Sequence, residues 1–265
     1  MTRSHNSSEV LFMTVIYNFF GKILGALYGF CGSYGWAIVL FSVFAKVIMI
    51  PMTFQQTRST QIMSALAPAL DIINKKYANN TEKRNSETLK LYQRYNYNPM
   101  SGCLPLLLQI PIIMALWKVI RQPVPYVFES EAVYSTVSQS FLWIANLSTS
   151  PWEILKASKM SGEFFLSMII PMVSEIMTII QQRVMNPTGS NSGQMASMNI
   201  MMNFMILYMG ITMSQAVTIY WTLQTFLGIV QNWVIKKFFP LKINPPKIVK
   251  KKSGVKSIET PAKDN

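Results

Sequence analysis

The segment YGWAIVLFSVFAKVIMIPMT, residues 34–53, carries one charge, Lys46, in an otherwise apolar run. Its length is about the 20 residues that an α-helix needs to cross a bilayer. A cation at that depth in hydrocarbon costs about 2.5–3.5 kcal/mol on insertion scales, so an intramembrane lysine marks a working site by default. Working outward, apolar stretches recur over residues 99–120, 164–180, 195–213 and 216–235. Five crossings are therefore expected. Residues 10–31 form a further candidate, but Asn18, Gly21, Lys22 and Gly25 interrupt it, which favours an amphipathic helix in the interface over a crossing. The chain of 265 residues is 50% hydrophobic and 13% charged, with 19 methionines. That leaves too few polar faces for a large soluble domain. The expected fold is an all-α polytopic membrane protein with five transmembrane helices, an amphipathic N-terminal helix and a cytoplasmic helical hairpin.

The basic residues orient it. Residues 54–98 hold Arg58, Lys75, Lys76, Lys83, Arg84, Lys90 and Arg94, whereas residues 122–162 hold only Lys156 and Lys159 against Glu129, Glu131 and Glu153. Under the positive-inside rule the first segment is cytoplasmic and the second is an outer loop. Residues 236–265 add nine lysines against Glu259 and Asp264, so the C-terminus belongs in the cytoplasm and the N-terminus outside. A tail of this charge suits a polyanion: Lys247, Lys250, Lys251, Lys252 and Lys256 are candidate contacts for ribosomal RNA or anionic lipid. The expected organisation is an N-terminal segment over 1–33, a five-helix core over 34–238 and a basic tail over 239–265.

Soluble enzyme chemistry finds little support. The one histidine is His5, the two cysteines are Cys31 and Cys103, and no phosphate-cradling glycine loop or serine nucleophile elbow is present. No catalytic residue, metal site or cofactor is expected. In the cytoplasmic segment, Ile62, Leu66, Leu70 and Ile73 recur at helical spacing, with a kink expected at Pro68. A second helix carries Leu89, Tyr92 and Tyr95 after the turn at Asn79 and Asn80. Asn98 and Pro99 read as a cap and first-turn proline that restart a helix into the membrane. The hairpin is either a solvated connector or a partner's contact site.

These residues carry a resemblance. Tyr34-Gly35-Trp36-Ala37-Ile38, Lys46 before Ile50-Pro51-Met52, Gln55-Gln56-Thr57-Arg58-Ser59, Asn98-Pro99-Met100-Ser101-Gly102-Cys103-Leu104-Pro105, Gln109-Ile110-Pro111-Ile112, Gln181-Gln182 and Ile219-Tyr220-Trp221, in this order, are similar to the YidC family of membrane protein insertases. Mitochondrial Oxa and thylakoid Albino proteins share it. The resemblance covers roughly residues 16–238 and implies a groove open to cytoplasm and lipid but closed outside, from which client segments slide out between the third and fifth spans. It implies nascent membrane proteins and the ribosome as partners, with the Sec translocon and the signal recognition particle pathway beside them. With no large domain before the first span, the chain resembles the short form of Gram-positive bacteria.

Two departures stand out. Lys46 occupies the place where the family usually has arginine, and Glu175 is an acid deep in the third span. Each lies 12 residues beyond the outer start of its helix, Tyr34 and Glu163, so the two are expected at similar depth and as a pair. The expected groove residues are Lys46, Gln109, Glu175, Gln181, Trp221 and Gln224. Each has a plainer reading: Lys46 snorkels to the headgroups, the glutamines hydrogen-bond helix to helix, and Trp221 is an interfacial anchor. Methionines 198, 202, 205, 209 and 213 form a stripe that suits packing more than client binding. The resulting expectation is an insertase and chaperone without nucleotide hydrolysis. The alternative is a small ion channel or transporter that uses Lys46 and Glu175.

Overall fold

The computed structural model describes residues 3–98, 104–185, 193–240, 247–250 and 256–259. Among them run the helices α1 (Arg3–Cys31), α2 (Tyr34–Lys76), α3 (Thr81–Arg94), α4 (Leu104–Arg121), α5 (Pro123–Tyr126), α6 (Glu131–Ser135), α7 (Pro151–Ser158), α8 (Gly162–Met185), α9 (Gly193–Thr212) and α10 (Gln215–Phe238). Two strands follow, β1 (Lys247–Lys250) and β2 (Lys256–Glu259). The chain divides into two compact units. One is built from residues 1–50, 106–178 and 203–227, the other from 51–105, 179–202 and 228–265.

Three helical stretches of the described residues are long and apolar enough to cross a membrane: Met13–Cys31, Tyr34–Lys76 and Gly162–Met185, with Asn199–Thr212 apolar but shorter. This departs from the expected set in two ways. The N-terminal segment qualifies by length and composition, and the stretches at α4, α9 and α10 are not among the three. The reason for α10 lies in its side chains, since Gln215, Thr218, Gln224, Thr225 and Asn232 are polar and buried.

In the first unit, α1 ends where Gly32 takes φ +67° and donates its N–H to the Tyr28 carbonyl at 2.8 Å. A left-handed residue there is the usual stop of a helix. Gly21 and Gly25, expected as interruptions, are packing points in an unbroken helix: an added Cβ on Gly21 would lie 2.7 Å from the Tyr126 Cβ, and one on Gly25 would lie 3.0 Å from the Val127 oxygen. Leu24 is fully buried on the same side, in a core with Ile38 and Phe41 of α2, Leu116 and Ile120 of α4, and Tyr220 of α10. The loop before α7 contributes Ile144 and Leu147 to this core. It also caps α10, because Leu147 and Thr149 present their carbonyls to the Ala216 and Gln215 N–H groups at 3.0 and 2.9 Å. Helix N-termini leave such donors unpaired unless something accepts from them. The loop is held in turn by α7, where Ser150 and Glu153 form a reciprocal capping box and Glu153 meets Arg121 of α4 at 2.9 Å.

In the second unit, α2 continues as a helix through Pro51 and Pro68 to Lys76, where a separate hairpin helix was expected. The hairpin forms as expected around Leu66, Leu70 and Ile73, but its buried leucine from α3 is Leu91, while Leu89 is exposed. The Asn80 side chain caps α3 by accepting from the Lys83 N–H at 2.9 Å. The expected cap at Pro99 lies outside the described residues. Where α8 ends, Lys236 donates to the Val184 carbonyl at 2.5 Å and Ser64 to that of Met185 at 3.2 Å. A lysine at this position also suits the negative end of the helix dipole.

The all-α expectation needs one amendment. β1 and β2 pair antiparallel, with Lys247 opposite Glu259 and Ile248 opposite Ile258. The adjacent β-branched residues Ile248 and Val249 favour an extended backbone at the centre of β1.

Candidate functional site

The polar face of α2 in the first unit comes from helical spacing: Ser42 and Lys46 are four residues apart, so they stand one above the other. Both face α10. Gln224 donates its Nε2 hydrogen to the Ser42 carbonyl at 2.7 Å, and the Ser42 hydroxyl donates to the Ile38 carbonyl at 2.7 Å. The Lys46 ammonium donates to the Gln224 backbone carbonyl at 3.4 Å. That distance is at the long end for a hydrogen bond, so the lysine is directed rather than clamped. Lys46 is half-buried, and Val43, Phe44, Val47 and Ile48 on the adjoining face are exposed apolar residues. A cation thus stands at the edge between a polar helix seam and an exposed apolar stripe.

The other expected site residues fall elsewhere. Gln109 is buried and donates to the hydroxyl of fully buried Tyr220 at 2.9 Å, an interhelical bond between α4 and α10. Trp221 lines a small cavity with Ser174, Met209, Gly210, Met213 and Thr218, and its Nε1 is buried with no hydrogen-bond partner among the described residues. The methionine stripe divides here: Met209 and Met213 line the cavity, while Met205 is exposed. Gly210 lets α9 approach α8, since its missing Cβ would sit 3.2 Å from the ring of Pro171. Glu175 follows Ser174 on α8 and has one carboxylate oxygen buried without a described hydrogen-bond partner.

The expected pairing of Lys46 with Glu175 is not formed: the ion pairs among the described residues are Lys75–Asp71, Lys90–Glu87 and Arg121–Glu153. Equal depth does not make two side chains face each other, and Lys46 is turned to α10. Gln181 belongs to the second unit and is half-buried near the end of α8. Lys247, Lys250 and Lys256 fall on the strand pair, and Lys251 and Lys252 lie outside the described residues.

The sequence reading missed Ser42, Tyr220 and Gln215, the last fully buried and donating to the Ser167 carbonyl of α8 at 2.8 Å. Spacing held part of the signal, since Ser42 precedes Lys46, and Tyr220 precedes Gln224, by one helical turn.

Comparison with known proteins identifies relatives along most of the chain. The family model described as 60Kd inner membrane protein matches residues 26–242. The membrane protein insertase YidC of Clostridium perfringens is 33% identical over 236 residues, which cover 83% of this chain and 89% of that protein. The YidC of Fusobacterium nucleatum is 28% identical over 229 residues, covering 85% of this chain and 98% of the relative. A crystal structure of an active YidC insertase, with its first transmembrane domain resolved, aligns with a TM-score of 0.57 at 27% identity. That alignment covers 82% of this chain and 45% of the other.

Proposed function

The chain belongs to the 60Kd inner membrane protein family, which it shares with the YidC membrane protein insertases, and from that premise we propose that it inserts apolar segments of newly made proteins into the bilayer. The observation that carries the reading to particular residues is the Lys46–Gln224–Ser42 seam, a half-buried cation beside exposed apolar residues. Insertion is downhill once the apolar segment reaches lipid: at about 25 cal/mol per Å², a helix face of roughly 800 Å² offers about 20 kcal/mol before costs. The barrier lies in moving the polar flank of the segment through hydrocarbon. A cation and carbonyls at partial depth lower it by supplying hydrogen bonds and counter-charge, with no nucleotide hydrolysis in this chain.

In this proposal α2, α4, α8, α9 and α10 are the five crossings, with residues 54–98 and the tail cytoplasmic. Helix α1 lies in the interface, because its exposed face mixes Asn18 and Lys22 with Val15 and Phe19. Lys46, Gln109, Glu175, Trp221 and Gln224 of the first unit remain the proposed groove residues, of which Lys46 carries the charge toward a client, and Gln181 of the second unit is proposed separately as a residue that meets clients. The proposed partners are nascent membrane proteins, the ribosome, anionic lipids, and the Sec and signal recognition particle pathways. The channel or transporter reading loses its basis as one shared site, since Lys46 and Glu175 do not meet.

The test is insertion of a purified single-span protein into liposomes that contain only this chain, scored by protease protection of the translocated flank. Insertion above that of empty liposomes is expected. Equal insertion with and without the protein, under conditions where it is folded and correctly oriented, would overturn the proposal.

A further inference from the structure

Residues Phe141 to Ile144 form a tight turn in the loop between α6 and α7, closed by reciprocal backbone hydrogen bonds of 3.0 and 2.9 Å. Its two ends point inward: Ile144 is buried in the core, and Phe141 lies on the first turn of α2. There the Phe141 ring meets Trp36 edge to face at 5.6 Å between centroids, and an added Cβ on Gly35 would come within 2.7 Å of the Phe141 Cβ. The two middle residues point outward. Leu142 is 70% exposed and Trp143 42% exposed. Leu142 also takes φ +54°, a conformation that suits glycine or asparagine and is strained for a leucine. A strained turn position that holds a large, mostly exposed apolar side chain gains little from burial among the described residues.

The surroundings say what covers it. Trp36 stands on the same helical stripe of α2 as Val43, Val47 and Ile50, all exposed, at the start of a stretch long and apolar enough to cross the membrane. A tryptophan at that place is an interfacial anchor in height. Because Phe141 is seated on Trp36, the turn tip is held at the level where that lipid-facing stripe begins.

We propose that Leu142 and Trp143 insert into the bilayer interface beside the start of α2, so that the loop is anchored in lipid by its turn. The occupant is the lipid itself, since the tip is continuous with the apolar surface of α2. The anchor bears on α10 as well, because the same loop supplies Leu147 and Thr149, the carbonyls that cap the α10 N-terminus.

The experiment uses the full chain with Cys31→Ser and Cys103→Ser, carrying Leu142→Cys or, as a control on exposed α6, Ala132→Cys. Each cysteine bears an environment-sensitive fluorophore, and the protein is reconstituted in phosphatidylcholine vesicles. At position 142, blue-shifted emission quenched by nitroxide lipid and sheltered from aqueous iodide is expected, with the reverse at 132. Quenching of the 142 label by iodide as at 132 would overturn the proposal. So would a label sheltered from both quenchers, which would mean that a second protein surface covers the tip. The unlabelled protein offers an independent measurement: brominated lipid should quench its tryptophan fluorescence more than that of Trp143→Phe. Equal quenching of the two would also refute the anchor.

Discussion

Gly21→Ala probes the docking of α1. The added methyl would meet the Tyr126 Cβ at 2.7 Å and the Tyr126 carbonyl carbon at 2.8 Å. The second obstacle is backbone, so relief requires α1 and the segment after α4 to separate. Overpacking costs about 1–3 kcal/mol, and against a backbone obstacle the upper part of that range, about 2–3 kcal/mol, applies. Alanine returns up to about 1 kcal/mol through its better helix propensity, leaving a net loss of about 1–2 kcal/mol. For a chain of this size that corresponds to roughly 2–8 °C in unfolding temperature. Two neighbouring glycines complete the series. Gly25→Ala meets the Val127 oxygen at 3.0 Å and should fall near zero, while Gly29 has nothing within 4 Å, so Gly29→Ala should raise the transition. The assay is thermal unfolding of the reconstituted protein, with an engineered cysteine pair between α1 and residues 126–127 reporting whether the helix stays docked. Equal transitions for Gly21→Ala and Gly29→Ala would refute the packing and leave α1 as a helix held by lipid alone.

Leu91→Ala should cost the hairpin about 2 kcal/mol or more, and Leu89→Ala less than about 0.5 kcal/mol, read as protease sensitivity at the turn after Lys76; equal effects would contradict the packing around Leu66 and Ile73. Lys46→Ala should lower insertion of clients with acidic flanks more than of neutral ones, whereas Lys46→Arg retains it, and identical rates for all three forms would leave the charge without a role. Burial raises the Glu153 carboxyl, but the Ser150 backbone N–H, Arg121 and the Ser150 hydroxyl outweigh it, and the result lies below the ordinary value of 4.5. A carboxyl lowered by folding contributes stability above its unfolded value and loses it as pH falls through its folded value. The contribution, under about 1 kcal/mol for so exposed a group, should therefore disappear from about pH 4.5 downward in the native protein and be absent at every pH in Glu153→Gln. Removing residues 241–265 should weaken ribosome binding and flatten its salt dependence, and unchanged binding at low and high salt would assign the tail another purpose.

What the sequence displayed depended on how many independent residues constrained each element. Long apolar runs declared α2, α8 and α9, and the repeat Ile62, Leu66, Leu70, Ile73 declared the hairpin face. The short α3 did not: Leu89 and Leu91 are two positions apart, about 200° around a helix, so only one can face inward. The neighbour across the turn decides which, and that is tertiary information. The Lys46–Glu175 pair failed for a related reason. Counting along two helices fixes depth but not rotation, and rotation is set by packing against a third helix. Gly21 and Gly25 were misread because composition counts them as breaks, whereas they mark places where Tyr126 and Val127 come close. The tail strands have four residues each, too few for periodicity to stand out against nine lysines.

The polar residues of α10 divide into two kinds of work. Lipid provides no hydrophobic force between helices, so helix association rests on close packing and polar contacts. Gln215 reaches α8, Tyr220 receives Gln109 from α4, and Gln224 reaches α2, with distances of 2.8, 2.9 and 2.7 Å. These are short bonds to fixed partners, two of them backbone carbonyls that are present whatever the side chain. Lys46 differs, since its one bond is 3.4 Å long and its acceptor is the Gln224 carbonyl rather than a carboxylate. Exchanging that bond for one to water or to a client carboxylate forfeits little and leaves the Gln224–Ser42 contact intact. The helices can therefore stay in register while the charge changes partners, which an insertase groove requires and a structural salt bridge would prevent.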